Sequence, residues 1–168
     1  MLDKEILKQL QEYIETHLIS IEFNICEASM HMCESAYPEI LDNELHDFIN
    51  NKRKPTFKEA LFGYIDSKGV SDADIYKRAG IDRRHFSKIR SNANYKPGKN
   101  TAIALSLALE LNEKETDTLL SAAGYSLSDS ETFDLVIQFC VNKKIYDIRS
   151  VNEALDYFSL KPLIGVVE

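Results

Sequence analysis

The sequence of 168 residues predicts an all-α protein, and three observations support this prediction. At five predicted helix starts a small polar residue is followed three positions later by an acid, a pattern in which both side chains satisfy unpaired amides at a helix start. Only six glycines and four prolines interrupt the chain, and no segment is of low complexity. Alternation of apolar and polar residues, which is typical of strands, is weak and confined to the tail "PLIGVV". The length suffices for one ordinary domain, or for a small domain with an appendage.

Residues 1–50 form a strongly acidic region with two basic and eleven acidic side chains, a net charge of −9. Apolar residues recur there at spacings of three and four, which predicts a long amphipathic helix. They are Leu7, Leu10, Ile14, Leu18, Ile21 and Ile25. A second short helix is expected in 38–50. The apolar stripe has two interpretations, packing against the rest of the protein or self-association.

From Thr56 onward the pattern predicts a series of short helices. The five capping patterns are "TFKE" at Thr56, "SDAD" at Ser71, "NEKE" at Asn112, "SDSE" at Ser128 and "SVNE" at Ser150. The predicted helices are 57–68, 72–79, 83–91, 101–111, 113–123, 129–142 and 150–159. Asp82 is the expected cap of the third helix. Gly69, Gly80 and Gly124 are each expected to end the helix that directly precedes them.

The charge of this chain is segregated along the sequence. Residues 77–99 contain eight Lys and Arg side chains and one acid, Asp82, so their net charge is +7. The whole chain has a formal charge of −7, and the remainder therefore sums to −14. Mixed signs would keep the protein equally soluble, whereas a phosphate-binding face benefits from concentrated cations because they release condensed counterions. The segregation therefore favours contact with DNA.

Two short helices joined at Gly80 match the arrangement in which a helix-turn-helix presents its second helix to the major groove. Apolar residues fall where the two helices must bury surface: Ile75, Ala79, Ile81, Phe86 and Ile89. The residues left on the outer faces of the second helix are Arg83, Arg84, Ser87, Lys88 and Arg90. Gly80 lies where the chain must turn without a side chain in the way.

Residues 56–125 resemble the Xre/Cro-repressor family of helix-turn-helix domains. The stretch "DADIYKRAGIDRRHFSKIRSNANYKPGKNTAIALSLALELNEKETDTLLSAAGYSLS" is particularly similar to a module that ends many bacterial proteins. The resemblance implies a five-helix, lambda-repressor-like fold in which the second and third helices form the motif. The expected organisation is an acidic helical region at 1–54, a DNA-binding domain at 55–125, and C-terminal accessory helices with a tail at 126–168.

The resemblance also implies roles for individual residues. Arg83, Arg84, Ser87 and Lys88 match the positions of the recognition helix that reach base edges. Arg90, Asn92, Lys96 and Lys99, which lie at the end of that helix and in the loop that follows, are expected to contact phosphates. The chain departs from the family at Tyr76, where a small residue is usual, and we expect this tyrosine to be a packing residue.

Other classes of function have little support in the sequence. "CEASMHMC" brings Cys26, His31 and Cys33 together, but His31 does not share a helix face with the cysteines, and no fourth ligand is evident for zinc. No catalytic constellation, phosphate-cradling glycine loop or dinucleotide fingerprint is found, so we expect neither an enzyme nor a cofactor or metal site. Three cysteines, without a signal peptide or a membrane-spanning apolar run, suggest free thiols in the cytoplasm.

The expected function is a sequence-specific, DNA-binding transcriptional regulator. Its expected partners are double-stranded DNA and a second copy of the chain, because two-fold sites pair with two-fold proteins. Residues 1–50 could form the dimer interface, sense a ligand or bind an unknown protein partner, or lie against the basic face and weaken DNA binding. The alternative from another class is a helix-turn-helix module that serves as a protein-interaction adaptor or antitoxin-like partner.

Overall fold

The computed structural model describes residues 4–19 and 42–164, and these residues contain nine α-helices and no strand. The helices are α1 (Lys4–Ile19), α2 (Asp42–Lys52), α3 (Phe57–Lys68), α4 (Asp72–Arg78), α5 (Arg83–Ser91), α6 (Lys99–Ala108), α7 (Glu113–Ala123), α8 (Thr132–Asn142) and α9 (Ile148–Tyr157). The prediction of an all-α protein is confirmed. Within the described ranges, no helix is both long enough and apolar enough to cross a bilayer.

The chain divides into two compact units, Met1–Ile21 with Pro55–Glu168, and Glu22–Lys54. The second unit contains α2, whose apolar side chains are exposed on the helix surface. This division does not follow the sequence boundary at residue 54, since α1 groups with the helices after Pro55. The functional division into 1–54, 55–125 and 126–168 stays a prediction.

Local capping sets the ends of α3 and α7 where the sequence predicts them. Thr56 and Asn112 each form a full capping box, in which the side chain accepts from the amide three residues on and the glutamate there accepts from the cap amide. Both helices end at a glycine with positive φ, Gly69 at 61° and Gly124 at 85°. Ser71 caps α4 in the predicted way, by accepting from the Asp74 amide.

Two of the predicted caps are wrong. Helix α8 begins at Thr132 rather than near 129, and the amide of Ser128 donates to the buried Asp134 carboxylate (2.8 Å). Helix α9 is capped by Asp147, and Ser150 lies inside the helix, where its amide and hydroxyl both donate to that carboxylate (3.0 Å each). In both places a nearby aspartate accepts the hydrogen bond.

Helix α6 lies at the centre of the larger unit. All seven residues from Ala102 to Ala108 are buried, and the helix packs against α4 and α7, while α7 also packs against α3. The predicted end at residue 111 is wrong, because the helix stops at Ala108 and Glu110 adopts a left-handed conformation (φ 52°). Leu111 is nevertheless fully buried, which explains why its apolar spacing resembled a continuing helix.

Helix α1 packs on α8 within the same unit. Leu10 and Ile14 are almost completely buried, and the Tyr13 and Phe139 rings lie 5.6 Å apart. The Tyr13 hydroxyl donates to the Gln138 side chain (3.3 Å). Leu10 and Ile14 of the apolar stripe are therefore used for packing within the chain, whereas Ile21 and Ile25 lie outside the described residues.

The C-terminal end of the described chain returns to the turn between α4 and α5. The amide group of Asn152 accepts from the backbone N–H of Leu163 (2.8 Å) and donates to the carbonyl of Ile164 (3.2 Å). Leu163 is buried, and the Ile164 side chain lies 3.7 Å from the position that a Cβ on Gly80 would occupy. Two hydrogen bonds therefore hold the tail on α9, and the Ile164 side chain lies beside the turn at Gly80.

We expect the Cys140 thiol to resist alkylation in the folded protein at mildly alkaline pH. It lies in the core on α8, and burial raises its pKa to about 12, so the reactive thiolate is scarce. Iodoacetamide labelling followed by peptide mass spectrometry would measure the labelling of Cys140 separately from that of Cys26 and Cys33. Labelling of Cys140 in buffer as fast as in concentrated urea would contradict its burial.

Candidate nucleic-acid interface

Helix α5 is a short helix whose two faces differ sharply in composition. Asp82 caps its start by accepting from the Arg84 amide (2.6 Å), as the sequence predicts. Phe86 and Ile89 are buried on one face. At about 100° per residue, the exposed residues on the other side lie within about 140° of the helix circumference. These residues are Arg83, Arg84, Ser87 and Lys88, together with Ser91 in the last turn.

The turn before α5 depends on a glycine. Gly80 has φ of 63°, a conformation that side chains disfavour, and the amide of Ile81 donates to the Tyr76 carbonyl (2.9 Å) to close the turn. The five apolar residues expected to face inward around this turn, Ile75, Ala79, Ile81, Phe86 and Ile89, are all buried. The predicted inward face of α4 and α5 is confirmed.

An aromatic cluster fixes the rotation of α5 about its axis. The Phe86 ring lies 5.9 Å from the rings of both Phe62 on α3 and Tyr76 on α4. Tyr76 is half-buried in this cluster, so the prediction that it is a packing residue is confirmed. Because both partner rings belong to other helices, rotation of α5 about its axis would lose both contacts.

Arg90, a predicted phosphate contact, is engaged by the chain itself. Its guanidinium forms an ion pair with Asp72 at the start of α4 and lies over the Phe62 ring, 4.9 Å from the ring centroid. The side chain remains 59% exposed, so the ion pair contributes little to stability. The two contacts nevertheless connect the end of α5 to α3 and α4.

Lys99, a second predicted phosphate contact, pairs with a buried carboxylate. Its ammonium lies 2.6 Å from the Asp134 carboxylate, which also accepts the Ser128 amide. The Asp134 side chain is 2% exposed, and that of Lys99 is 31% exposed. This group links the start of α6 to α8 and to the loop before it.

The remaining predicted phosphate contacts lie in the loop between α5 and α6. Asn92 is exposed, and its side chain accepts from the Asn94 amide (3.0 Å) to form a turn. The exposed Lys96 places its ammonium 4.0 Å from the position of a Cβ on Gly124, where α7 ends. Cations are favoured at the C-terminal end of a helix, so the end of α7 attracts the Lys96 ammonium.

Lys88 rests on an aromatic ring of the same loop. Its ammonium lies 4.6 Å from the centroid of the Tyr95 ring. The Tyr95 hydroxyl lies 3.1 Å from His85 Nε2, and the two rings meet edge-to-face. Sequence reasoning did not find Tyr95, because an aromatic residue in a loop carries no signal of which helix it will contact.

The eight cations of residues 77–99 thus fall into two groups. Three pair with carboxylates of the chain: Arg78 with Glu110 (3.3 Å), Arg90 with Asp72, and Lys99 with Asp134. Within the described ranges, five have no carboxylate within ion-pair distance: Lys77, Arg83, Arg84, Lys88 and Lys96. The exposed cations of α5 belong to the second group, except for Arg90.

The described residues contain no group of three or more His, Cys, Asp and Glu side chains that could hold a metal ion. The cysteine and histidine cluster considered in the sequence, Cys26, His31 and Cys33, lies outside the described residues. Comparison of the chain with family models, with curated proteins and with solved structures finds no match.

We expect Asp134→Ala to lower the free energy of unfolding by about 2 to 4 kcal/mol, because it leaves the Lys99 ammonium and the Ser128 amide without their acceptor. Urea denaturation followed by circular dichroism would measure the change. The matched control is Asp117→Ala, which removes an exposed carboxylate from α7 and should cost less than about 0.5 kcal/mol. Equal losses in both variants would contradict a structural role for Asp134.

Proposed function

We propose that this protein is a sequence-specific, DNA-binding transcriptional regulator of the Xre/Cro type. In this proposal α3 to α7 form the five-helix, lambda-repressor-like domain, α4 and α5 are its helix-turn-helix, and α5 enters the major groove. The observation that carries the proposal is the outer face of α5. There Arg83, Arg84, Ser87 and Lys88 are exposed together, without carboxylate partners among the described residues.

The dimensions of α5 suit this role. Nine residues give a helix about 13 Å long, comparable to the roughly 12 Å width of the major groove. Its apolar face is covered by α3 and α4 through the Phe86 cluster, so the opposite face is the one available to a partner. A helix-turn-helix requires this arrangement, with one face packed and the other presented.

The proposed roles differ between the residues of α5 and those of the loop that follows it. Arg83, Arg84, Ser87 and Lys88 are proposed to face base edges, where an arginine can donate two hydrogen bonds to guanine. Lys96 and Asn92 are proposed to meet phosphates, which position the protein without reading sequence. The ion pairs of Arg90 and Lys99 weigh against their predicted phosphate contacts, since each would have to give up a carboxylate of the chain.

We expect Arg84→Ala to weaken binding to a selected site by about 1 to 3 kcal/mol and to relax the preference at one base pair. Lys96→Ala should weaken binding to all sequences alike and lower the slope of log K against log salt by about one. Sites would first be selected from a random DNA pool, and affinities then measured by fluorescence anisotropy at several salt concentrations.

The matched control is Lys114→Ala, which removes one positive charge from the exposed surface of α7, outside the basic face. It should leave both affinity and sequence preference close to those of the wild type. If Arg84→Ala weakened selected and random DNA equally, the base-reading role of Arg84 would be wrong. A wild-type chain without salt-dependent retention on duplex DNA would favour the adaptor alternative.

We also propose that the protein acts as a homodimer, and that α2 supplies apolar surface for it. Three large apolar residues of α2 share one helix face at spacings of three and one, and they are strongly exposed: Leu45 (46%), Phe48 (61%) and Ile49 (44%). Such a concentration of exposed apolar residues is typical of an interaction surface. A dimer would present two copies of α5 to two half-sites.

We expect Phe48→Ser to convert a dimer into a monomer in sedimentation equilibrium, because it removes the most exposed apolar side chain of this face. Asp47→Asn, on the same helix, is the control and should keep the mass of the wild type. Equal helical content by circular dichroism would show that each variant is folded. A monomeric wild type, or a Phe48→Ser variant that remains dimeric, would contradict the proposal.

A further inference from the structure

We infer that Tyr95 is a positioning residue of the DNA-binding face, and that it acts through Lys88. This inference rests on the proposed function, and it assigns a role to a loop residue that does not itself belong to the recognition helix. The Tyr95 ring lies under the Lys88 ammonium at 4.6 Å, and its hydroxyl lies 3.1 Å from His85 Nε2. One side chain thus contacts two neighbouring residues of α5.

The loop is built to hold Tyr95 in this position. Asn92 forms a turn in which its side chain accepts from the Asn94 amide and its carbonyl accepts from the Tyr95 amide (3.2 Å). Beyond the turn, Pro97 is buried and fixes the loop from its other end. This turn directs the chain so that Tyr95 points back to α5.

The geometry on α5 explains why one ring reaches both partners. His85 and Lys88 are three residues apart and therefore lie next to each other on one side of the helix. The half-buried Tyr95 ring meets the His85 ring edge-to-face, with centroids 6.0 Å apart. With its edge held by His85, the ring presents its face to the Lys88 ammonium.

The consequence for binding is preorganisation of a flexible cation. A lysine side chain loses much rotamer freedom when it is fixed, and the ring imposes part of this loss before DNA arrives. The attraction between the ammonium and the ring also grows when water is excluded, as it is when a helix enters a groove. Lys88 is exposed and has no carboxylate partner in the described part of the chain, so the ring is the contact that holds it.

A double-mutant cycle between Tyr95 and Lys88 tests this inference in the full-length protein. Tyr95→Leu should weaken binding to the selected site about three- to tenfold in the wild-type background. In the Lys88→Met background the same substitution should lower the affinity for this site less than about twofold, because the lysine that Tyr95 positions is absent. Tyr95→Phe keeps the ring and loses only the hydroxyl, and it should recover most of the affinity lost in Tyr95→Leu.

Equal losses from Tyr95→Leu in both backgrounds would overturn the inference, since they would indicate a general effect on the fold. So would a Tyr95→Phe variant as weak as Tyr95→Leu, because the ring would then not be the active part. Thermal denaturation of each variant would show whether it is folded at the temperature of the binding measurements.

A measurement without DNA separates failure of this inference from failure of the proposed function. The proton shifts of the Lys88 ε-methylene should move upfield in the free protein through the ring current of Tyr95, and should return to ordinary values in Tyr95→Leu. Absence of that shift would overturn the inference even if the protein binds DNA. If the shift is present but the wild-type chain does not bind duplex DNA, the DNA-binding function and the role of Tyr95 in affinity are both wrong. Only the contact between the Tyr95 ring and Lys88 would then be supported.

Discussion

The burial of Phe86 and Ile89 is the constraint on which the surface of α5 depends. Each fully buried apolar side chain of this size contributes about 1.5 to 3 kcal/mol, far more than an exposed ion pair. The Phe86 ring also contacts rings of two other helices, α3 and α4. Helix α5 therefore has one favourable rotation about its axis. Its apolar face is buried in this rotation, and the cations on the opposite face are exposed to solvent.

The electrostatic organisation follows from this packing. Carboxylates of the chain neutralise Arg78, Arg90 and Lys99. Arg83 and Arg84, which lie in the first turn of α5, are not neutralised in this way among the described residues. The basic segment is thus partly structural and partly available for a partner, although composition alone does not distinguish these roles.

The helix boundaries show which parts of the fold can be predicted from local sequence. The capping boxes at Thr56 and Asn112 were predictable because both partners of each hydrogen bond lie within three residues of each other. The hydrogen bond of the Ser128 amide was not predictable, because its acceptor is Asp134, which lies six residues away and is buried in the core. The same limit applies to Lys99, whose carboxylate partner is separated from it by 35 residues.

The sequence by itself determined the helical class, most helix positions after Thr56, and the inward and outward faces of α4 and α5. These features depend on periodicity and on hydrogen bonds between near neighbours, which a linear pattern records. The tertiary structure alone decided which cations meet carboxylates, which helix Tyr95 contacts, and that α1 packs on α8. These contacts join residues that are remote in sequence or related only through a loop, and their distances are set by the way the core packs.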